Sequence, residues 1–163
     1  MQIKTWFDQQ EAAGLLEIEH QTTTWRSNQV IADLADSAFA SSFGFEKTVS
    51  ANYETTGHDG VFLVAPEHVS DYMSRFRPSC LRHNASSARS LDLPFTNIAV
   101  AKGCTLDRVL LGPTAGVVAF LKSGAQLGDT AACSFYVALT RARFSVAIVT
   151  TEAGSIDLPV WTP

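Results

Sequence analysis

Residues 135–149, Phe-Tyr-Val-Ala-Leu-Thr-Arg-Ala-Arg-Phe-Ser-Val-Ala-Ile-Val, pass from an apolar helical pattern to a short apolar run. Asp129 or Thr130 can cap the predicted helix, which runs toward Arg141-Ala142-Arg143. Residues 145–149 then predict a buried strand. Apolar runs that alternate with helical segments are typical of βαβ units around a mostly parallel sheet.

The same alternation continues upstream of this stretch. Ser27 is predicted to cap a helix whose apolar side chains recur at helical spacing and are Ile31, Leu34, Ala35, Ala38 and Phe39. The other predicted helices cover residues 5–13, 66–78 and 117–121, the last with a possible cap at Thr114 and an end at Gly124. The other predicted strands cover residues 15–19, 61–65, 97–100 and 108–111.

Two stretches carry little helical or strand pattern. Residues 40–60 are predicted as a loop or weak strands, and residues 79–94 as a strand followed by an exposed basic loop. We therefore expect a single α/β domain over residues 1–150 and a C-terminal tail over residues 151–163.

Composition supports one compact domain. The chain has 163 residues, of which 46% are apolar and 17% charged, enough to bury a core of its own. No apolar run reaches the roughly 18 residues of a membrane span, and the first residues do not form a signal peptide. Three cysteines are too few for a disulfide framework. We expect a cytoplasmic protein that makes no membrane contact.

The charge is unevenly distributed. Residues 75–108 hold six Lys or Arg against two Asp or Glu, whereas residues 1–74 hold three against eleven. A basic stretch in an acidic chain predicts either an anion or phosphate site or a solvated charged face. Within it, Arg75-Phe76-Arg77 combines charge with an aromatic ring, as proteins that bind single-stranded nucleic acid do, although Phe76 also fits the apolar stripe of a helix.

Arg26 and Arg141 each lie at a boundary between a strand-like and a helix-like segment, where α/β folds collect ligands. A guanidinium stays charged, donates through a planar fork and can stabilise charge on a transferred phosphoryl group. Surface salt bridges are the alternative role for both. Lys102-Gly103 follows a predicted strand and offers a point charge beside a residue that allows close backbone approach.

Motifs of several self-contained enzyme classes are absent from the sequence. It contains no phosphate-binding GxxxxGK loop ending in Ser or Thr, and no GxSxG, HExxH or CxxC. Cys80 and His83 are only two possible metal ligands, so no metal site is predicted.

Three motifs in order resemble superfamily 1 helicases of the UvrD/Rep family. Thr24-Trp-Arg-Ser27 before an apolar helix resembles motif IV, and Asn97-Ile-Ala-Val-Ala-Lys-Gly-Cys-Thr-Leu-Asp-Arg-Val-Leu-Leu111 resembles motif V. Phe135-Tyr-Val-Ala-Leu-Thr-Arg-Ala-Arg143 resembles motif VI. The resemblance covers residues 24–149 and implies the second RecA-like domain, a three-layer αβα sandwich, of such a helicase.

In that family two RecA-like domains enclose ATP and Mg²⁺, and the first supplies the phosphate-binding loop and the magnesium site. The resemblance implies that Trp25 stacks near the adenine and that Arg26 and Arg141 reach the γ-phosphate. Gly103 and Thr105 would lie at the nucleotide cleft, and Lys102, with Arg75 and Arg77, at single-stranded DNA. Thr105 replaces the glutamate that the family usually places near the ribose, and Ala99 replaces a frequent histidine.

Motifs I to III are missing, so the resemblance implies a partner, namely a first RecA-like helicase domain supplied by an absent N-terminal portion or by a separate chain. No ATP hydrolysis is expected from this chain alone, since it lacks the Walker A and Walker B motifs. Two alternatives stay open. One is a stand-alone RecA-like module that binds a protein or single-stranded nucleic acid without ATPase activity, and the other is an unrelated α/β enzyme with an anion-binding cleft.

Overall fold

A parallel β-sheet between two layers of helices and loops forms the framework of the chain. The computed structural model describes residues 2–39 and 43–163. In chain order the elements are α1 (Gln2–Ala12), β1 (Thr23–Thr24), α2 (Gln29–Ser37), β2 (Val49–Ser50), β3 (Gly60–Val64), α3 (Val69–Phe76), β4 (Ser79–Arg82), β5 (Thr96–Asn97), β6 (Leu106–Gly112), α4 (Ala115–Ser123), α5 (Asp129–Leu139), β7 (Ala142–Val149) and β8 (Val160–Trp161).

Six strands form the main sheet, in the order β5-β4-β6-β7-β3-β8. Every strand pair in it is parallel, so all amino ends meet at one edge of the sheet and all carboxyl ends at the other. β1 and β2 form a separate parallel pair. The sequence-based prediction of an α/β fold with a mostly parallel central sheet is confirmed.

The two faces of the sheet are covered by different elements. Helices α2, α4 and α5 pack on one face, where their apolar side chains join those of the strands in the larger core cluster. Helix α3 and the segment 91–95 cover the other face in a smaller cluster around Tyr72. Strands buried on both sides read as continuous apolar runs, as Val61–Val64 and Val146–Val149 do.

Helix starts differ from the sequence-based prediction at two places. Asn28, rather than Ser27, caps α2 by accepting a hydrogen bond from the Ile31 backbone N–H. Ser27 is buried, and its hydroxyl instead donates to the Ala142 carbonyl at 2.7 Å. Helix α5 begins after Gly128 with no side-chain cap, so neither Asp129 nor Thr130 caps it. Thr114 caps α4 as predicted, and Gly124 ends it.

Two of the predicted strands, residues 15–19 and 97–100, are wrong. Residues 15–19 are irregular and pair with no strand in the part of the chain that the structure describes. Of residues 97–100, only Asn97 belongs to a strand, the short edge strand β5. The backbone turns at once, since the Val100 N–H donates to the Asn97 carbonyl and the Ala101 N–H to the Ile98 carbonyl.

The predicted loop over 40–60 lies partly outside the described residues, and its described part contains β2. Residues 151–163, expected as a tail, contain a short 3-10 helix (Ala153–Ser155) and β8, which pairs with β3. None of the described helices is long and apolar enough to cross a membrane.

Candidate functional site

A cleft of about 540 Å³ opens at the amino edge of β6 and β7. Its walls include four of the residues that the sequence analysis assigned to nucleotide contact, namely Trp25, Arg26, Thr105 and Arg141. Thr105 directly precedes β6 and Arg141 directly precedes β7. Ligands of open α/β sheets usually bind at the carboxyl ends of the strands. This cleft lies at the opposite edge of the main sheet, beside the amino ends of β6 and β7. Both arginines do lie at boundaries between a strand and a helix, Arg26 between β1 and α2 and Arg141 between α5 and β7.

Arg26 is held across the cleft by two segments that are distant in sequence. Its Nε donates to Thr105 Oγ1 at 3.0 Å, and its Nη1 donates to the Thr140 carbonyl at 3.1 Å. The remaining nitrogen, Nη2, donates no hydrogen bond to any described residue. The guanidinium is thus fixed in orientation while it keeps donor capacity for a ligand.

Arg141 is half-buried in the same wall. Its Nε donates to the Val137 carbonyl at 3.2 Å, while Nη1 and Nη2 make longer bonds of 3.4 Å to the Cys104 carbonyl and Thr140 Oγ1. Burial, followed by the positive charge of Arg26, lowers the pKa of Arg141 below its usual value. The two guanidinium groups therefore repel each other, and an anion between them would relieve that repulsion.

Neither Arg26 nor Arg141 forms an ion pair with any carboxylate in residues 2–39 and 43–163. Arg143, on the same wall, does so twice, with Glu54 at 2.8 Å and Asp107 at 3.3 Å. Arg26 and Arg141 therefore do not form, with any described residue, the surface salt bridges that were considered as their alternative role. Of the three arginines that line the cleft, Arg143 is paired with carboxylates, whereas Arg26 and Arg141 form no ion pair with a described residue.

Trp25 supplies an exposed aromatic ring at the cleft. It follows β1 directly, lines the cleft and is 79% exposed. An indole with so much free surface offers a flat apolar platform on which a planar ring can stack.

Hydrogen bonds from side chains attach the Arg26 segment to strand β7. Besides the Ser27 bond to Ala142, Asn28 Nδ2 donates to the Phe144 carbonyl at 2.7 Å. The Leu106 N–H donates to the Arg141 carbonyl at 2.8 Å, which joins β6 to the same strand start. Sequence reasoning missed Thr140, whose carbonyl and hydroxyl contact both arginines; its position directly before Arg141 was the available signal.

Lys102 and Gly103 lie in the turn between β5 and β6 and do not line the cleft. Gly103 has a φ of 85°, in the left-handed region that favours glycine. This turn directs the Cys104 carbonyl and Thr105 Oγ1 toward the two arginines. Gly103 thus shapes the cleft through its backbone, and Lys102 is exposed beside it.

Arg75 and Arg77 are not brought into the cleft. They lie at the end of α3, where Arg77 ends the helix with a φ of 47°. Phe76 between them stacks face to face on His58, with ring centroids 3.8 Å apart, and the Arg75 guanidinium lies 5.5 Å from its centroid. The ring of Phe76 is therefore packed within the protein rather than free to stack on a base.

Within the described residues, no group of three or more His, Cys, Asp or Glu side chains could hold a metal ion. All three cysteines are free thiols, Cys80 buried and Cys104 and Cys133 exposed. Burial raises the pKa of Cys80.

Comparison with known proteins yields structural neighbours only. No protein-family model and no curated protein matches the chain. A solved structure of the PRRSV helicase is similar, with a TM-score of 0.50 and 21% identity over 92% of this chain and 28% of that one. A structure of PRRSV nsp10 (helicase) gives a TM-score of 0.47 at 22% identity, covering 86% of this chain and 27% of that one. The chain thus has a helicase-like fold and spans little more than a quarter of these neighbours.

Proposed function

We propose that the chain is the second RecA-like motor domain of a UvrD/Rep-like superfamily 1 DNA helicase or translocase. The carrying observation is the convergence of Arg26 and Arg141 on one cleft with no carboxylate partner among the described residues. Keeping two uncompensated cations close together is unfavourable unless an anion is bound there. The fold shared with a helicase supports the same assignment.

In this proposal the anion is the γ-phosphate of an ATP held mainly by another domain. Arg26 and Arg141 would orient it and stabilise the charge that develops on the transferred phosphoryl group, the role of an arginine finger. Trp25 would stack near the adenine, since its indole is exposed on the wall of the cleft. Thr105, whose hydroxyl accepts a hydrogen bond from Arg26 Nε, would act through Arg26 rather than bind the ribose directly.

The cleft fits only part of ATP with Mg²⁺. Its arginines suit phosphate oxygens, but no phosphate-binding loop is present in the sequence. The described residues also contain no cluster of carboxylates for a magnesium ion. The phosphate-binding loop and the metal ligands would come from a first RecA-like domain, which is therefore the proposed partner. Bound ATP supplies the phosphoryl group, and this chain supplies positive charge and orientation.

Single-stranded DNA is the second proposed partner. Lys102 is exposed in the turn beside the cleft, where a contact to a DNA phosphate could be coupled to the positions of Cys104 and Thr105. Arg75 and Arg77 are exposed at the end of α3 and would add electrostatic attraction only, because Phe76 is packed. A cytoplasmic location belongs to this proposal, in line with three free thiols.

The experiment combines the chain with a first RecA-like motor domain and measures ATPase activity with and without single-stranded DNA. We expect DNA-stimulated hydrolysis that is lost in Arg26→Ala and Arg141→Ala chains. Lys122→Ala is the control, because Lys122 pairs with Glu152 away from the cleft. Hydrolysis that survives both arginine substitutions would contradict the proposal. DNA binding without any stimulation would favour the stand-alone interaction module.

A further inference from the structure

The loop that follows β2 joins the two segments that carry the cleft arginines. Asn52 Nδ2 donates to the Arg26 carbonyl at 2.6 Å and to the Arg143 carbonyl at 3.4 Å. One side-chain amide therefore spans the backbone before α2 and the start of β7. Asn52 itself does not line the cleft.

Neighbours of Asn52 strengthen the same junction. The Ser50 hydroxyl is buried and donates to the Ser27 carbonyl at 2.8 Å, and it accepts from the Asn52 N–H at 3.0 Å. The Ala51 N–H donates to the Thr24 carbonyl at 2.8 Å, and the Glu54 carboxylate pairs with Arg143. Residues 50–54 therefore form hydrogen bonds and an ion pair with both segments that carry the cleft arginines.

We propose that Asn52 is a positioning residue that fixes the backbone of Arg26 relative to the start of β7, and so aligns Arg26 with Arg141. The inference rests on the proposed function, in which both arginines must reach one phosphate. An amide NH₂ has two protons, enough to supply a hydrogen bond to each of the two carbonyls. Without the Asn52 amide, fewer hydrogen bonds hold the Arg26 segment to β7. Displacement of a catalytic group by about 1 Å can lower the rate roughly 100-fold.

Asn52 has a second, purely local role that the test must separate from positioning. Its Oδ1 accepts from the Glu54 N–H at 3.1 Å, which closes a short turn. Asn52→Asp keeps an acceptor for that turn but has no proton to donate to the two carbonyls. Asn52→Ala removes both functions. Asn84 is a matched control. Its Oδ1 accepts a hydrogen bond from the backbone N–H of Ser86, which is also two residues later in the chain. This turn lies beyond the carboxyl end of β4.

The first measurement uses the chain alone and follows the Nε–Hε NMR signals of Arg26 and Arg141. Both protons are hydrogen-bonded, to Thr105 Oγ1 and the Val137 carbonyl, and should exchange slowly with solvent. We expect Asn52→Asp and Asn52→Ala to speed exchange of the Arg26 proton about tenfold or more, with Asn84→Asp unchanged. An unchanged Arg26 signal in both Asn52 variants would overturn the inference.

The second measurement uses the chain combined with a first RecA-like domain, at a temperature where all variants are folded by circular dichroism. We expect Asn52→Asp to lower kcat about 10- to 100-fold with little change in KM for ATP, since geometry and not ATP affinity is altered. If Asn52→Asp keeps the full kcat while Arg141→Lys loses most of it, the positioning role of Asn52 is overturned but the proposed function is not. An unaffected Arg141→Lys enzyme would overturn the proposed function, and this inference with it.

Discussion

Arg26 and Thr105 lie 79 positions apart in the chain, and the Nε of Arg26 donates a 3.0 Å hydrogen bond to the Thr105 hydroxyl. The bond joins the segment before α2 to the turn before β6 in the wall of the cleft. The threonine hydroxyl orients Arg26 without bringing a negative charge, so the bond leaves the guanidinium free of an ion pair at this position.

Removal of the Thr105 hydroxyl should therefore impair catalysis more than stability. Thr105→Val keeps the shape of the side chain, but Arg26 Nε loses its acceptor. In the two-domain enzyme we expect kcat to fall roughly five- to tenfold, about 1 kcal/mol for one hydrogen bond. Steady-state ATPase kinetics measure this. Thr105→Ser retains the hydroxyl and should stay near wild type; an equal loss in Thr105→Ser would contradict the explanation.

Arg141→Lys preserves the charge but not the planar fork. In the two-domain enzyme we expect turnover to fall by about 10³ or more while ATP affinity changes little. Because Arg141 is half-buried and bonded to three oxygen atoms, we also expect a loss of about 1 kcal/mol in the free energy of unfolding. Single-turnover kinetics and urea unfolding test the two parts. A loss of activity explained entirely by unfolding would assign Arg141 to structure.

The isolated chain should show no ATPase activity and at most millimolar affinity for ATP. An arginine pair and one indole leave most of the triphosphate and its magnesium in water, so the binding free energy should not exceed about 4 kcal/mol. Isothermal titration calorimetry measures the affinity. Micromolar binding, or turnover that survives stringent purification, would rule out the incomplete-site interpretation.

Binding of single-stranded DNA to the isolated chain should be weak and should fall steeply with salt. Lys102, Arg75 and Arg77 can neutralise only a few phosphates, and the packed ring of Phe76 offers no stacking platform. Fluorescence anisotropy at two salt concentrations measures affinity and salt slope. Lys102→Ala should reduce both, whereas Phe76→Leu should leave the salt slope unchanged. Tight binding that is insensitive to salt would favour the stand-alone module.

Stability should decrease as the pH falls from about 6.5 toward 4. Burial between Phe62 and Phe76, and then the charge of Arg108, lower the pKa of His58 to about 4. Asp59 raises it in part, and Arg75 lowers it. Since the folded pKa lies below the unfolded one, the folded state loses stability as the pH drops through this window. The His58 Nε2 and the Tyr72 hydroxyl oxygen are hydrogen-bonded at 2.9 Å, and burial raises the pKa of Tyr72 to about 12.

Thermal unfolding midpoints at pH 7 and pH 5 test this prediction. His58→Phe retains an aromatic ring in the stack but cannot be protonated, so it should show a smaller decrease between the two pH values. His20→Gln, at an exposed site, is the matched control and should decrease as much as wild type. Equal decreases in all three proteins would show that other groups cause the acid sensitivity.

Elements with strong local patterns could be predicted from the sequence. The helical spacing of Ile31, Ala35 and Ala38 located α2, and the apolar runs located β3 and β7, because burial of those side chains is the main reason that these elements form. Residues 15–19 show the limit of this reasoning. Their alternation suits a strand, but a strand also needs a neighbour, and sequence pattern does not supply one.

The candidate site could be predicted as a set of residues but not as a geometry. The motif resemblance selected Trp25, Arg26, Thr105 and Arg141, which do share one cleft. It could not identify the bond from Arg26 to Thr105 or the bonds of Asn52, because hydrogen bonds between crossover loops leave no periodic signal in either segment. The edge of the sheet at which the cleft opens was not predicted either, since strand direction alone does not say which end a ligand approaches.

Strand β8 covers part of the outer side of β3 in the main sheet. β3 is an apolar strand, and β8 occupies its outer side at Leu63 and Val64, where the Leu63 N–H donates to the Pro159 carbonyl at 2.8 Å. Trp161 packs edge-on against Tyr72 with ring centroids 5.0 Å apart, which holds this cover in place. Unpaired apolar edges recruit strands from other molecules. We therefore expect the two residues of β8 to limit strand pairing with other molecules at this part of β3, whatever the cleft binds.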